Sequence, residues 1–306
     1  MRFSGNVAYT KKREWKQYLM PSTVHEALSL LEKFNGEARV IAGGTDLVVQ
    51  SRGGNLRQNV LVDITRIPDL DYICLDRDKI RIGCLTTHAR VAESSLIREK
   101  AMALSEGASK LGSPQIRNMG TVVGNIVNAQ PGADTIIPLL AFDATLKVIS
   151  KEGERIIPLM ELFTGVGKTK VNSSQEIVTE ILLPALGLNE GSATLRLAKR
   201  KSLVLPILTV SAVISADPEK KSFRSVKIAG GPVETTPLRF IEAERLLSGS
   251  LINQEMILKA AFEASRAANP RTSLIRGTKE YRQAMVAVIV ERAIKKALAR
   301  LEGYHG

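Results

Sequence analysis

VIAGGTDL at residues 40–47 constrains the fold more than any other stretch, because it places two glycines directly after a strand pattern. A second glycine-bearing segment, GSPQIRNMGTVVGN at residues 112–125, follows later in the chain. Glycine allows positive φ angles and lets a ligand approach the main chain closely. Consecutive amides in such turns form concavities that bind anions. One such turn is common in proteins, but two of them predict a pyrophosphate held from both sides, as in a dinucleotide site.

Length and composition indicate a soluble globular protein. The chain has 306 residues, of which 44% are hydrophobic and 24% charged, and this length allows about two domains. Its longest apolar run, residues 203–216, is shorter than the roughly 20 residues of a membrane span. The first 16 residues lack the apolar segment of a secretory signal. We therefore expect a cytoplasmic protein without a membrane span.

Charge and metal-ligating residues exclude several classes of protein. The net charge is +12, but the basic residues are scattered and no aromatic-rich basic stripe is present, so nucleic-acid binding is not expected. A phosphate-bearing cofactor or an acidic partner accounts for the positive charge. The two cysteines, Cys74 and Cys84, are too few for an iron–sulfur cluster, which usually takes four thiolates. No HExxH pattern is present, so we expect no metal site and two reduced thiols.

The pattern of apolar residues predicts an α+β chain. Thr23 and Glu26 have the spacing of a capping box and begin a helix. Residues 187–191 are polar enough to be a junction between domains. Asp134 has an alternative role as the N-cap of a helix. Strands are expected at 39–42, 61–64, 79–84, 146–149, 176–183, 195–198, 207–214 and 226–229, and further helices at 96–111, 237–247, 252–267 and 278–301.

The segment Gly167-Lys168-Thr169 resembles the end of a phosphate-binding P-loop, but the rest of that motif is missing. The motif requires a glycine at the position of Leu162, and no strand pattern leads directly into it. The GxGxxG fingerprint of a Rossmann domain and the GxSxG turn of a hydrolase are also absent. The sequence therefore does not predict an NTPase, a Rossmann enzyme or a serine hydrolase.

Several ordered motifs resemble one family along nearly the whole chain, from about Tyr18 to the final helix. They are AGGTDL at 42–47, QIRNxGT followed by GN at 115–125, ADT at 133–135, GKT at 167–169 and RGTKEYR at 276–282. In these motifs the chain resembles the medium, FAD-binding subunits of molybdenum hydroxylases, the family of xanthine dehydrogenase and aerobic carbon monoxide dehydrogenase. Val123 departs from the pattern, since the family usually has a second glycine there.

The resemblance implies an α+β fold with a two-part FAD-binding domain of the vanillyl-alcohol-oxidase type at residues 14–187, with subdomains of about 14–70 and 71–187. A smaller α+β C-terminal domain would occupy residues 191–304. Asp134 would bind sugar or ribityl hydroxyls of the FAD, and Leu111 would pack against the adenine. Val178 and Arg196 would approach the flavin. The pyrophosphate would lie between two groups, one of Val40, Ile41, Ala42, Gly43, Gly44, Thr45, Asp46 and Leu47, and one of Thr121, Gly124 and Asn125.

The resemblance also implies an electron-transfer role in a heterotrimer. A large subunit with a molybdenum cofactor would oxidise the substrate, for which xanthine or a related purine is the first choice. A small iron–sulfur subunit would pass the electrons to FAD on this chain, and NAD or another acceptor would receive them. This chain would then supply no catalytic acid, base or metal ligand.

Four alternatives remain open from the sequence. One is a self-sufficient reductase of the same fold, similar to the enolpyruvyl-UDP-glucosamine reductases, against which the RGTKEYR motif argues. A second and a third are subunits of complexes like carbon monoxide dehydrogenase or hydroxybenzoyl-CoA reductase. The fourth is a scaffold without FAD, which only Val123 suggests.

Overall fold

The computed structural model describes residues 15–200 and 203–301, so the predicted domain ends at 14 and 304 lie outside the described residues. Its strands are β1 (Gln17–Leu19), β2 (Ala38–Ile41), β3 (Val60–Asp63), β4 (Ile73–Asp76), β5 (Lys79–Gly83), β6 (Thr145–Ser150), β7 (Gly153–Pro158), β8 (Phe163–Gly165), β9 (Lys168–Thr169), β10 (Ile177–Pro184), β11 (Glu190–Leu197), β12 (Leu208–Asp217), β13 (Ser222–Gly231) and β14 (Leu238–Arg239). Its helices are α1 (Val24–Lys33), α2 (Leu47–Arg52), α3 (His88–Glu93), α4 (Ser95–Lys100), α5 (Met102–Lys110), α6 (Pro114–Met119), α7 (Val122–Asn128), α8 (Ile136–Ala141), α9 (Leu159–Leu162), α10 (Ile241–Leu247), α11 (Gln254–Ala267) and α12 (Lys279–Leu298). The predicted α+β class is confirmed.

The first sheet is small and parallel, with the strand order β1-β3-β2. Helix α1 connects β1 to β2, and Thr23 Oγ1 accepts the Glu26 N–H at 3.1 Å as its N-cap. Glu26 Oε2 in turn accepts the Ser22 N–H at 2.7 Å, so the capping box closes one residue before the cap. The first glycine segment follows the carboxyl end of β2, the side of a parallel sheet where ligands usually bind.

The second sheet is antiparallel, with the order β4-β5-β10-β6-β7. Helices α3 to α8 all lie between β5 and β6 in the chain, and the second glycine segment belongs to this helical insertion. One hydrophobic core joins the two sheets and these helices, since it contains Leu31 and Val62 as well as Ile82, Leu104 and Ile181. The two glycine segments are therefore carried by parts of the chain that share a core.

The C-terminal part forms an antiparallel sheet, β11-β12-β13-β14, with a hydrophobic core of its own that includes residues of α10, α11 and α12. Polar contacts join this sheet to α5. Ser192 Oγ accepts the Ala103 N–H at 3.1 Å, and the Thr194 hydroxyl donates to the Ala103 carbonyl at 2.8 Å. Glu106 on α5 forms ion pairs with Lys296 and Arg300. The interface between α5 and the C-terminal part of the chain thus contains hydrogen bonds and ion pairs.

Two local expectations were wrong. The helix expected at 237–247 begins only at Ile241, because Leu238–Arg239 pair with β13 and the Phe240 N–H bonds the Ile228 carbonyl. The helix expected at 96–111 is divided into α4 and α5 at Ala101, where φ is −155°. Val123, where the family usually has a glycine, lies in α7, so its backbone has no positive φ. Among the described residues, no helix has the length and apolar character needed to cross a membrane.

Candidate functional site

A cavity of about 1110 Å³ lies where the two glycine segments meet the C-terminal part of the chain. Most of the predicted cofactor residues line it, and they come from elements far apart in sequence. These residues are Val40, Ala42, Gly43, Gly44, Thr45, Asp46, Leu47, Leu111, Thr121, Gly124, Asn125, Asp134 and Val178. The cavity wall does not include Ile41 or Arg196.

The two glycine segments are in direct contact at Gly43. A Cβ atom at this position would lie 1.8 Å from the Met119 carbonyl oxygen and 3.1 Å from the Gly120 Cα. On the other side, a Cβ at Gly120 would lie 3.5 Å from Thr45 Oγ1. Real side chains do not tolerate a contact of 1.8 Å, so a residue other than glycine at Gly43 would push the segments apart. Gly44 also has a φ of +68°, which favours glycine.

The second glycine segment is held by helix caps rather than by an open loop. Thr121 is the N-cap of α7, and its Oγ1 accepts the Gly124 N–H at 3.0 Å. The Thr121 oxygen is therefore engaged, while its hydroxyl hydrogen is available to a ligand. Asn125 Oδ1 accepts the Thr135 hydroxyl at 2.8 Å, which orients the Asn125 amide group. Each of these two side chains thus retains a donor for a ligand.

Asp134 is a link between the two parts of the chain and not the cap of α8. The N-cap of α8 is Thr135, whereas Asp134 Oδ1 accepts Arg196 Nε at 3.0 Å and Thr209 Oγ1 at 3.2 Å. Burial raises the pKa of the Asp134 carboxyl, and Arg196 and the Thr209 hydroxyl oppose this rise. Both hydrogen bonds use Oδ1, so the second carboxylate oxygen is the acceptor that a ligand hydroxyl would use.

Arg196 and Ile41 are placed behind the site. The Arg196 side chain is 9% exposed and also donates to the Val204 carbonyl, so its charge is directed at Asp134. Ile41 packs with Leu56 and Leu61 in a small separate core. In this structure Arg196 contacts Asp134, which does line the cavity, so the expected approach of Arg196 to the flavin stays a prediction.

His88 was not predicted as a site residue, yet it lines the cavity and is only 1% exposed. Its Nδ1 has no hydrogen-bond partner among the described residues. Burial, together with the charge of Arg117, lowers the pKa of His88 to about 4, so the ring is neutral at pH 7. The backbone N–H of His88 bonds the Gly120 carbonyl at 3.0 Å, which fixes the main chain at His88 beside the second glycine segment. A strand ending in Gly83 and followed by the capping residue Thr87 was the available signal.

Asp46 and Cys84 also line the cavity, and burial affects both. Burial raises the pKa of the Asp46 carboxyl and raises the pKa of the Cys84 thiol to about 12. A carboxylate beside a diphosphate is repulsive, so Asp46 suits a ligand through its backbone N–H. The Cys84 thiol is a weak nucleophile in this environment, because the thiolate is the reactive form.

Two family models match the chain. One is described as the FAD binding domain in molybdopterin dehydrogenase and matches residues 11–186; the other is the CO dehydrogenase flavoprotein C-terminal domain and matches residues 193–297. Two similar curated proteins cover almost the whole chain. The nicotinate dehydrogenase FAD-subunit of Eubacterium barkeri is 30% identical over 297 residues, which is 94% of this chain and 97% of that protein. The xanthine dehydrogenase FAD-binding subunit of Escherichia coli O157:H7 is 30% identical over 291 residues, 95% of this chain and 98% of that protein.

Among solved structures, the chain is similar to carbon monoxide dehydrogenase from Hydrogenophaga pseudoflava, in a form that lacks the Mo-pyranopterin moiety of the molybdenum cofactor. The TM-score is 0.88 at 29% identity, and the match covers 93% of this chain and 98% of that chain.

Proposed function

This chain belongs to the FAD-binding subunits of the molybdopterin dehydrogenases, and we propose that it carries electrons between the iron–sulfur clusters of a partner subunit and a final acceptor such as NAD. Members of this family are the FAD-binding medium subunits of molybdenum hydroxylases, and the chain is such a subunit. The electron path and the acceptor are the proposed steps.

The observation that carries the proposal is the contact between the two glycine segments along one cavity. At Gly43 the main chains approach so closely that there is no room for a Cβ. Beside this cradle lie the neutral, buried His88 with its unpartnered Nδ1 and the amides of residues 43–47. A cavity of about 1110 Å³ with a cradle of this kind fits an elongated dinucleotide such as FAD.

We assign the residues of the cavity wall as follows. The amides of residues 43–47 would hold the diphosphate from one side, and Thr121, Gly124 and Asn125 would hold it from the other. Asp134 would accept a hydroxyl of the cofactor. Leu111 and Val178 would supply apolar surface for its rings. When bound, FAD would supply the redox chemistry, while the protein binds it, orients it and excludes water.

The remaining cofactors of the complex are proposed to lie on partner subunits. A cluster usually takes four thiolates and the chain has two cysteines, of which Cys74 is exposed and Cys84 buried. Relatives of equal identity are named for nicotinate and for xanthine, so this subunit is suited to a step common to both complexes. Xanthine or another purine therefore stays the predicted substrate of the complex. The cytoplasm stays the predicted location of the protein.

The first test is FAD binding by the purified chain, followed by its visible spectrum and by titration of the apoprotein. We expect flavin bands and saturable binding. Gly43→Ala should weaken FAD binding at least ten-fold, because the added methyl collides with the Met119 carbonyl. Gly187→Ala is the matched control, since a Cβ there meets only Glu190 Oε2 at 3.7 Å. Absence of flavin bands, with no binding of added FAD, would refute the proposal.

The second test addresses the electron path. The chain would be expressed together with the genes of its partner subunits and the complex reduced by its substrate without oxygen. Bleaching of the flavin band, followed by recovery on addition of NAD, is the expected result. Reduction of the complex by substrate with an unchanged flavin band would exclude the proposed path.

A further inference from the structure

Three arginines lie in the wall that the C-terminal part contributes to the cavity. Arg271, Arg276 and Arg282 all line it, and they come from the segment that joins α11 to the first turns of α12. The glycine segments belong to the N-terminal half of the chain. The arginines are therefore a cationic feature that the proposed diphosphate cradle does not include.

Arg282 is the anchor of this wall. It is 5% exposed, and its Nη1 donates to the Arg271 carbonyl at 2.7 Å. Its Nη2 bonds the carbonyl of Ile207 at 3.4 Å and that of Pro232. The guanidinium thus connects Arg271 to the residue that precedes β12 and to Pro232. We assign Arg282 a structural role.

Arg276 lies in a tight turn formed by residues 273–277. The Ser273 N–H bonds the Gly277 carbonyl and the Gly277 N–H bonds the Ser273 carbonyl, both at 2.9 Å. Gly277 has a φ of +106°, which permits this tight turn. Arg276 is therefore held in a defined turn, and the main chain at Arg271 is held by the hydrogen bond from Arg282.

Arg271 and Arg276 have no carboxylate partner within residues 15–200 and 203–301. No ion pair there includes either residue, and Arg276 Nε is buried without a hydrogen-bond partner. Burial, and then the charge of Arg271, lowers the pKa of the Arg276 guanidinium. Glu234 lies in the same wall, but its Oε2 accepts the neighbouring Thr235 N–H at 3.0 Å. Two like charges close together, one of them partly buried, are unfavourable unless an anion joins them.

We propose that Arg271 and Arg276 form an anion subsite of this cavity that binds the phosphate group of a nucleotide. Guanidinium groups bind phosphate through paired, charge-assisted hydrogen bonds, and the lining residues Thr272 and Ser273 add hydroxyl groups. The inference rests on the proposed function, which puts a nucleotide in this cavity. The phosphate has two sources: the diphosphate of FAD, or a separate nucleotide that binds to the FAD-loaded protein.

Two titrations distinguish these sources, with wild type, Arg271→Gln, Arg276→Gln and the double variant. The first titrates the apoprotein with FAD and follows flavin fluorescence. The second titrates the FAD-loaded protein with ADP and with NAD by calorimetry. Lys279→Gln is the control, because Lys279 carries the same charge on the same segment outside the cavity wall.

We expect the double variant to weaken binding roughly ten-fold to a hundred-fold in one titration, the range for losing a hydrogen bond to a charged group. Weaker binding of FAD to the apoprotein identifies the FAD diphosphate as the ligand of the subsite. Weaker binding of ADP or NAD to the FAD-loaded protein identifies a separate nucleotide. The melting temperature should stay unchanged or rise, because the substitutions relieve repulsion; a purely structural role would lower it.

Two results would overturn the subsite. One is unchanged binding in both titrations, and the other is an equal loss in Lys279→Gln. If the wild type fails to bind FAD, the proposed function fails instead, and the ADP titration of the FAD-free protein still tests the arginines.

Discussion

Replacing Asp134 tests the ion pair that connects the cavity wall to Arg196 in the C-terminal part of the protein. The Asp134 and Arg196 side chains are 7% and 9% exposed, and Asp134→Asn leaves the Arg196 guanidinium buried without its carboxylate. Removing one member of a buried ion pair costs about 3–5 kcal/mol of unfolding free energy. Asparagine keeps one acceptor oxygen, so we expect the lower end, about 3 kcal/mol. A helix cap would have cost only about 1 kcal/mol.

Urea denaturation of a double-mutant cycle measures the effect. Asp134→Asn, Arg196→Met and the double variant should be non-additive, because the double variant leaves no unpaired buried charge. Asp71→Asn is the control, since its pair with Arg90 is about half exposed and should be worth at most about 1 kcal/mol. A cost for Asp134→Asn no larger than that of the control would refute the reasoning.

The same variants separate binding from stability. If Asp134 accepts a cofactor hydroxyl, Asp134→Asn should also weaken FAD binding by about 1.5–3 kcal/mol. Arg196→Met should weaken it less, because Arg196 acts on the site only through Asp134. Normal FAD affinity in a destabilised Asp134→Asn protein would show that Asp134 stabilises the fold and does not bind the cofactor.

Three further predictions concern titratable groups. The pKa of His88 is about 4 in the folded protein, whereas an unfolded histidine has a pKa of about 6.5. The free energy of unfolding should therefore fall by about 3 kcal/mol in total as the pH falls from 6.5 to 4. Urea denaturation of His88→Gln should lack this loss, and a loss that persists in the variant would contradict the assignment. Burial raises the pKa of the Glu106 carboxyl, but the hydrogen bonds from Arg300 and Lys296 outweigh burial and hold this pKa below its usual value. The charged Glu106 therefore stabilises the folded protein above the unfolded pKa of about 4.3, and this stabilisation is lost as the pH falls through the folded pKa. The stability difference between wild type and Glu106→Gln should therefore shrink in acid, and a constant difference would exclude this account. A thiol reagent at pH 8 should label the exposed Cys74 well before Cys84, and FAD should slow the labelling of Cys84 further; equal rates by mass spectrometry would be inconsistent with the buried thiol.

Much of the fold could be predicted from the sequence because the signals are local. Alternating apolar residues identified most strands, and Thr23 with Glu26 identified the start of α1. Long-range pairing decided the exceptions. Residues 238–239 belong to a strand because β13 has a free edge there, although the sequence after Pro237 is compatible with a helix.

The site divides in the same way. The sequence by itself determined the two glycine segments, since close backbone approach and positive φ leave glycine as the residue at each such point. Tertiary structure alone decided that Gly43 touches Met119 and that Asp134 is neutralised by Arg196, 62 positions away. Backbone preference is a property of each residue and its neighbours, whereas the partner of a buried charge depends on a distance that only the folded chain sets.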